Sequence, residues 1–414
     1  MSDATKPSAA ASADEVLLEL TKDHLESGLR GVPVGYCTTS AVEADQGLFY
    51  VGNPVEAIGR RDPEEVIYLL LYKVWPTPEQ LSGFRRELMS RANVEAGVLA
   101  SLKALPRHGH PMKWFNHAIN VLGMYSTNKG DYRKDGIDLI AKIPTITAAI
   151  FRIREGWGEP IAPRQDLGYM ENFVNMLGVP GLDTAHQARL AQVMRVFDVT
   201  HFDHGGGNLS TFTGKTVASG KADMYESIGA AMAGLAGPLH GRANQECLEF
   251  IKECVNSVGS NNLNADTVRT MIQARLDAKQ VIYGFGHAVL RVEDPRARVL
   301  RAVGEELCPE FPLFKMVKLL AQVVPPILKA NPKISNPYPN VDSASGALLQ
   351  ATGLTEPEYY TVLFGMSRTV GIAAQIIYER CEARGGKGVP IMRPKYYYSP
   401  EGTAKGEAII AGSG

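Results

Sequence analysis

Helix-start signals recur along this chain, each leading into apolar residues at a helical period, and this grammar constrains the fold more than any other feature. Asp62-Pro63-Glu64-Glu65 offers a capping residue, a proline at the first helical position and an acid close behind. Thr77-Pro78-Glu79-Gln80 repeats the pattern, and Thr355 with Glu358 is a weaker instance. Leu190, Val193, Met194 and Phe197 make a one-sided apolar stripe, as do Leu313, Met316, Val317 and Leu320. Alternating strands are scarce, and residues 36–51 hold a short hairpin at most. The expected fold is all-α, with many medium helices and Pro/Gly breaks between them. Two Gly/Pro-rich zones, 234–241 and 336–346, are either ordinary loops or the limits of a smaller domain inserted in a larger one.

Composition excludes several function classes. The 414 residues are 45% apolar, enough for a large core and too apolar for disorder. Lys and Arg number 43 against 44 Asp and Glu, so the chain has no overall charge bias toward nucleic acid or an anionic membrane. Cys37, Cys247, Cys254, Cys308 and Cys381 are odd in number and widely spaced, which fits neither a disulfide framework nor a zinc site. The longest weakly apolar stretch, 228–239, reads as too short to span a bilayer. The first 14 residues read as a disordered tail without a signal or organellar presequence, so a cytoplasmic protein is expected.

Four segments and a few arginines carry candidate chemistry. HFDHGGGN at 201–208 reads as a helix end with a glycine-rich loop; a metal set of His201, Asp203 and His204 is the weaker reading, because no further ligands follow. GPLHGRAN at 237–244 places His240 at a helix start, where the dipole would keep its imidazole neutral and able to donate to an enolate; a core histidine fits the local sequence equally well. YGFGHAVLRVEDPR at 283–296 puts two glycines before His287 and adds Arg291 and Arg296; a solvated charged turn also explains those arginines. NVDSASG at 340–346 offers Asp342 as a general base or as a helix cap. Arg368 lies in an apolar run where burial without an anionic partner is unfavourable, and Arg393-Pro394-Lys395 closes the pattern.

Taken in order, DHGGGNLS, AGPLHGRANQE, YGFGHAVLRVEDPR, NPYPNVDSASG, YYTVLFGMSRTVGIAAQ and RPK resemble the citrate synthase family in its long form, from about residue 163 to 395 and more weakly in the first 100 residues. The resemblance implies a helical fold with a large domain (about 15–241 and 347–414) and a smaller one (242–346). It implies citrate formation from acetyl-CoA and oxaloacetate, with 2-methylcitrate synthesis from propionyl-CoA or a non-catalytic ligand sensor as alternatives. His240 then resembles the enol-stabilising residue, Asp342 the base and His287 the group that polarises the ketone. His204, Arg296, Arg368 and Arg393 resemble oxaloacetate and citrate ligands, Arg393 reaching the partner's site. Gly284, Phe285, Gly286 and Ala288 match the stretch that lies against CoA, and Arg291 a CoA-phosphate contact. Ser335 stands where relatives carry a phosphate-binding lysine, and Lys333 is the nearest substitute. No metal and no cofactor beyond the thioester substrate are expected, and a homodimer is, partly because the 228–239 helix looks hard for a monomer to cover. Oxaloacetate is expected to close the small domain on hinges near 237–241 and Gly346.

Overall fold

The computed structural model describes residues 16–398; the expected N-terminal tail lies outside them. Residues 16–37 form one unit with a single short 3-10 turn, Lys22–Glu26, and the described residues from Thr38 onward form a second, compact unit. The second unit opens with β1 (Ser40–Glu43) antiparallel to β2 (Gly47–Tyr50), in register Ser40 with Tyr50 and Glu43 with Gly47. This is the expected hairpin, extended by a two-residue strand β3 (Asn53–Pro54). Sixteen α-helices follow among the described residues: α1 (Val55–Ile58), α2 (Pro63–Tyr72), α3 (Pro78–Arg91), α4 (Ala96–Lys103), α5 (Pro111–Gly123), α6 (Tyr132–Glu155), α7 (Tyr169–Leu177), α8 (Thr184–His201), α9 (Leu209–Ser219), α10 (Met224–Leu235), α11 (Ala243–Val258), α12 (Ala265–Asp277), α13 (Pro295–Leu307), α14 (Pro312–Lys329), α15 (Asp342–Ala351) and α16 (Tyr360–Ile377). A π turn, Tyr378–Glu382, prolongs α16.

Local grammar explains most starts. Thr77 closes a capping box: its Oγ1 accepts the Gln80 N–H at 3.3 Å and Gln80 Oε1 accepts the Thr77 N–H at 2.9 Å. Asp62 precedes α2 as expected, but its carboxylate bonds to Arg85 at 2.6 Å and to Arg195 rather than capping the helix. Thr355 donates to Glu356 instead of capping α16. The 190/193/194/197 stripe is fully buried on α8, whereas Leu313 is only half-buried at the start of α14. Not every proline breaks a helix: Pro144 sits inside α6, and Pro325 and Pro326 inside α14.

The centre of the unit is α16. With the turns flanking it, Pro357–Glu382 is long and apolar enough for a membrane span, but 94% of its apolar window is buried inside the protein, as in a core helix. It packs against α6, α8, α9 and α10, and α10 in turn packs against α5 and α9. Ile228, Ala231, Met232 and Leu235 of α10 are therefore covered by their own chain, so the expected support for a dimer from that stretch does not hold. Gly346 lies inside α15, where an added Cβ would come within 3.0 Å of Leu248 and 3.1 Å of Asn244 on α11. It is a helix-packing glycine, not the expected hinge.

Candidate active site

The ends of α8, α9 and α10, the middle of α16 and two loops bring the sequence-selected residues together. α8 runs out at His201, and the loop 202–207 carries Asp203 and His204 to the N-terminus of α9. Asp203 is completely buried and is an acceptor hub. Its carboxylate takes the Thr39 hydroxyl, the Ser40 hydroxyl at 2.8 Å, the His204 N–H at 2.9 Å and the Gln375 amide at 2.8 Å. His201 is also buried, stacked on Phe197 at 4.1 Å with Nδ1 against the Phe197 carbonyl at 2.7 Å. Both are engaged inside the protein, and no group of three or more His, Cys, Asp or Glu among the described residues is placed to hold a metal ion, so the metal reading of this segment finds no support.

His240 sits in the tight turn after α10, closed by its own N–H on the Gly237 carbonyl at 3.1 Å and by Gly241 N–H on Leu235 at 3.0 Å. A Cβ on Gly241 would lie 2.3 Å from the Leu235 carbonyl, so only glycine fits there. The helix that acts on His240 is α9, not the α11 that follows it in sequence. Ser210, in the first turn of α9, donates its N–H to His240 Nε2 at 3.3 Å, and its hydroxyl lies 2.9 Å from the same nitrogen. Nε2 is thus an acceptor, and the proton resides on Nδ1, free to donate. Burial, reinforced by the positive charge of Arg368, lowers the His240 pKa to about 4.

The loop of His287 and the loop of Asp342 are laced together. Gly286 N–H bonds to the Tyr338 carbonyl and Asn340 N–H to the Gly284 carbonyl, each at 2.9 Å, and the Asn340 amide donates to Gly286 O at 3.0 Å. Gly284 has φ +81° and no room for a Cβ, which would meet Cys247 at 2.7 Å. Phe285 bridges to Pro339. His287 Nδ1 accepts the N–H groups of Val289 at 3.0 Å and Leu290 at 2.9 Å, so Nε2 carries the proton. Burial first, then Arg296, brings its pKa down to about 4. The His204 and His287 rings lie 5.1 Å apart, and the buried His204 Nε2 has no hydrogen-bond partner among the described residues. Burial and then Arg296 hold His204 well below the ordinary histidine range.

Asp342 is the first residue of α15, with Val341 in the capping position, so the helix-cap reading fails. Its backbone N–H is held by Asn340 at 3.1 Å, and among the described residues no donor is bonded to its carboxylate. Burial raises its pKa to about 6 against the opposing pull of Arg296 and Arg368.

Arg296 and Arg368 differ. Arg296 is buried and donates a fork to the Asp294 carboxylate, Nε at 3.0 Å and Nη2 at 2.7 Å, which corrects the solvated-turn reading for this residue. Arg368 is 2% exposed and has no ion-pair partner among the described residues; its Nε donates to the His201 carbonyl at 2.9 Å, and it lies 4.7 Å over the Phe364 ring. Burial lowers its pKa to about 10. Arg291 does behave as a solvated turn, curled over its own loop with Nη1 2.9 Å from Leu290 O. Ala288, Lys333, Ser335 and Arg393 are exposed. Arg393 lies away from this cluster: Met392 N–H bonds to Ser219 at the far end of α9 from Ser210 at 2.9 Å. Ser210, Thr39 and Ser40 were missed in the sequence reading; DHGGGNLS contains Ser210, but only folding turns its N–H onto His240.

Two neutral histidines with protons directed by the backbone, a carboxylate of raised pKa and an unneutralised buried arginine thus converge. The citrate synthase C-terminal domain family matches residues 28–395, so the likeness extends upstream as far as residue 28. The chain belongs to the citrate synthase family. Mitochondrial citrate synthases of Daucus carota and Citrus maxima are 38% and 37% identical over 399 residues, spanning 91% of this chain and 82% of theirs. Solved structures of citrate synthases from Thermotoga maritima (TM-score 0.75, 29% identity, 90% of this chain and 95% of that one) and Thermoplasma acidophilum (0.77, 25%, 91% and 96%) share the fold. Citrate synthases are acyl-transferring enzymes, and this chain is one of that kind. The curated relatives are named as mitochondrial, which overturns the cytoplasmic expectation. Composition and a few leading residues do not fix a compartment.

Proposed function

We propose that this cluster condenses acetyl-CoA with oxaloacetate and hydrolyses the resulting citryl-CoA, with the roles divided among the residues as follows. Asp342 takes a methyl proton from the thioester; with a pKa of about 6 it is ionised near neutrality and more basic than an ordinary aspartate. His240 donates its Nδ1–H to the enolate oxygen as charge develops, while Ser210 holds Nε2. The carbon nucleophile attacks the ketone, whose oxygen receives the Nε2–H of His287. Arg368, unpaired inside the protein, binds a substrate carboxylate, joined by Arg296 and His204. The loop 284–291 lies along coenzyme A. The scheme calls on protein donors alone, with no cofactor beyond the thioester substrate.

The observation that carries this reading is Arg368: a buried guanidinium without a carboxylate partner is costly unless an anionic ligand completes it. The Thermoplasma acidophilum relative was solved as a ternary complex with carboxymethyl coenzyme A and oxaloacetate, which supports a ligand pair of the same kind here. The relatives' names favour citrate over 2-methylcitrate formation and over a ligand sensor. A thiol-release assay with oxaloacetate and either acetyl-CoA or propionyl-CoA tests it. Release with acetyl-CoA at the higher kcat/KM is expected; none with either thioester refutes the assignment.

The arm bearing Arg393 supports a homodimer. Ser210 and Ser219 mark opposite ends of α9, about 14 Å apart at 1.5 Å per residue, so Arg393 is anchored away from its own His240 and is free to serve a partner's site. The segment 242–346 acts as the smaller domain, hinged in the 237–241 turn and at an end of α15, and oxaloacetate drives its closure because its carboxylates and ketone need donors from both domains, His204 and Arg368 from the larger and His287 and Arg296 from the smaller.

A further inference from the structure

Three residues of α16 lie in line along the loop that presents His204. Arg368 Nε donates to the His201 carbonyl at 2.9 Å, and Gly371 N–H donates to the Phe202 carbonyl at 3.1 Å. Gln375 Nε2 donates to Asp203 Oδ1 at 2.8 Å and to the Gly205 carbonyl at 3.1 Å. Spacings of three and four residues put all three on one helix face. Arg368 has a ligand to bind; Gln375 touches none of the groups assigned to chemistry, yet it holds the residues on both sides of His204, through the Asp203 carboxylate and the Gly205 carbonyl.

The amide is itself oriented. Gln375 Oε1 accepts from Lys215 Nζ at 3.3 Å, and Lys215 pairs with Glu379 at 2.9 Å. Gln375, Lys215 and Glu379 are all buried. A lysine ammonium only donates, so it can sit only against the amide oxygen and leaves the NH₂ for Asp203. Reversing the amide would set an oxygen against the Asp203 carboxylate and NH₂ against the ammonium. Keeping an ion pair out of water at this place is a poor way to gain stability; it does fix one of two amide orientations.

We propose that Gln375 is a positioning residue for His204, locked by the Lys215–Glu379 pair, and that it sets affinity for the keto acid rather than for the acyl-CoA. The inference rests on the assignment of His204 as a keto-acid ligand. Holding the loop through Asp203 and Gly205 places the unpartnered His204 Nε2 beside His287 before substrate arrives, so less ordering remains to oppose binding.

The test uses the full chain and reads both Michaelis constants. Gln375→Leu is expected to raise the oxaloacetate KM about tenfold while the acetyl-CoA KM stays within about twofold, because two hydrogen bonds to the loop are lost. Lys215→Met with Glu379→Gln removes the orienting pair without leaving a buried charge; the same KM is expected to rise about threefold, and this double variant decides the matter if Gln375→Leu does not fold. Gln375→Glu supplies a pH readout: position 375 faces Asp203 from the loop, Lys215 from α9 and Glu379 one turn on, with Arg368 acting on Asp203 from the same helix. Protonation restores a donor toward Asp203, so the variant-to-wild-type KM ratio should fall as pH drops from 8 to 6. An unchanged oxaloacetate KM in both the leucine and double variants, equal rises in both constants, or a pH-independent ratio would overturn the proposal. His204→Ala is the control: if it leaves the oxaloacetate KM unchanged, the ligand assignment itself fails.

Discussion

Replacing Asp342 by asparagine should slow the enzyme and stabilise it at once. Burial moves this carboxyl from an ordinary value of 3.8 to about 6. A raised carboxyl pKa means that the folded state holds the proton more tightly, so stability falls as pH rises from about 4 toward 6 and the full penalty persists above it. At about 1.36 kcal/mol per tenfold, the penalty is about 3 kcal/mol at pH 8 and about half that at pH 5. Asparagine keeps the shape and never ionises. Turnover should drop at least about 100-fold, the usual size of a general-base contribution. Thermal unfolding of wild type and Asp342→Asn should show the variant melting higher at pH 8, with a smaller gap at pH 5. In the wild type, kcat/KM for acetyl-CoA should fall about tenfold per pH unit below 6, since both catalytic histidines, near 4, stay neutral through that range. A variant less stable than wild type at pH 8, or a gap that does not change with pH, would refute the account of Asp342 as a carboxylate strained by burial.

Other outcomes follow from the same geometry. His240→Ala should lower kcat at least about 100-fold in the thiol-release assay with folding retained, because the side chain lines the site in a turn held by backbone bonds. Ser210→Ala keeps the backbone N–H on His240 and should cost only about three- to tenfold in kcat. Gly371→Ala would push a Cβ to 2.3 Å from the Phe202 carbonyl and 2.6 Å from Asp203, so a loss of about 1–3 kcal/mol by denaturant unfolding and a raised oxaloacetate KM are expected together. Arg393→Ala should reduce activity, and mixing it with an Asp342→Asn chain should raise activity above the sum of the two parents only if the arm crosses between subunits, because the mixed dimer then holds one intact site.

Much of this protein can be read from its sequence alone because helices answer to local rules. A period of 3.6, the Thr77 box and the scarcity of alternation set the fold class, and six motifs in order located His204, His240, His287, Asp342 and Arg368. Those rules reach only a few residues along the chain. They could not show that Asp203 is an acceptor for Thr39, Ser40 and Gln375, separated from it by well over a hundred residues, or that the α10 stripe is covered within one chain. Nor could they show that Gly346 packs inside α15 against α11. The protonation states belong to the tertiary structure entirely: a histidine is neutral here because distant segments exclude water and bring Arg296 or Arg368 near, and a carboxylate is weakly acidic because the same exclusion of water outweighs the pull of those arginines; desolvation is a property of the assembled core, not of any stretch of sequence.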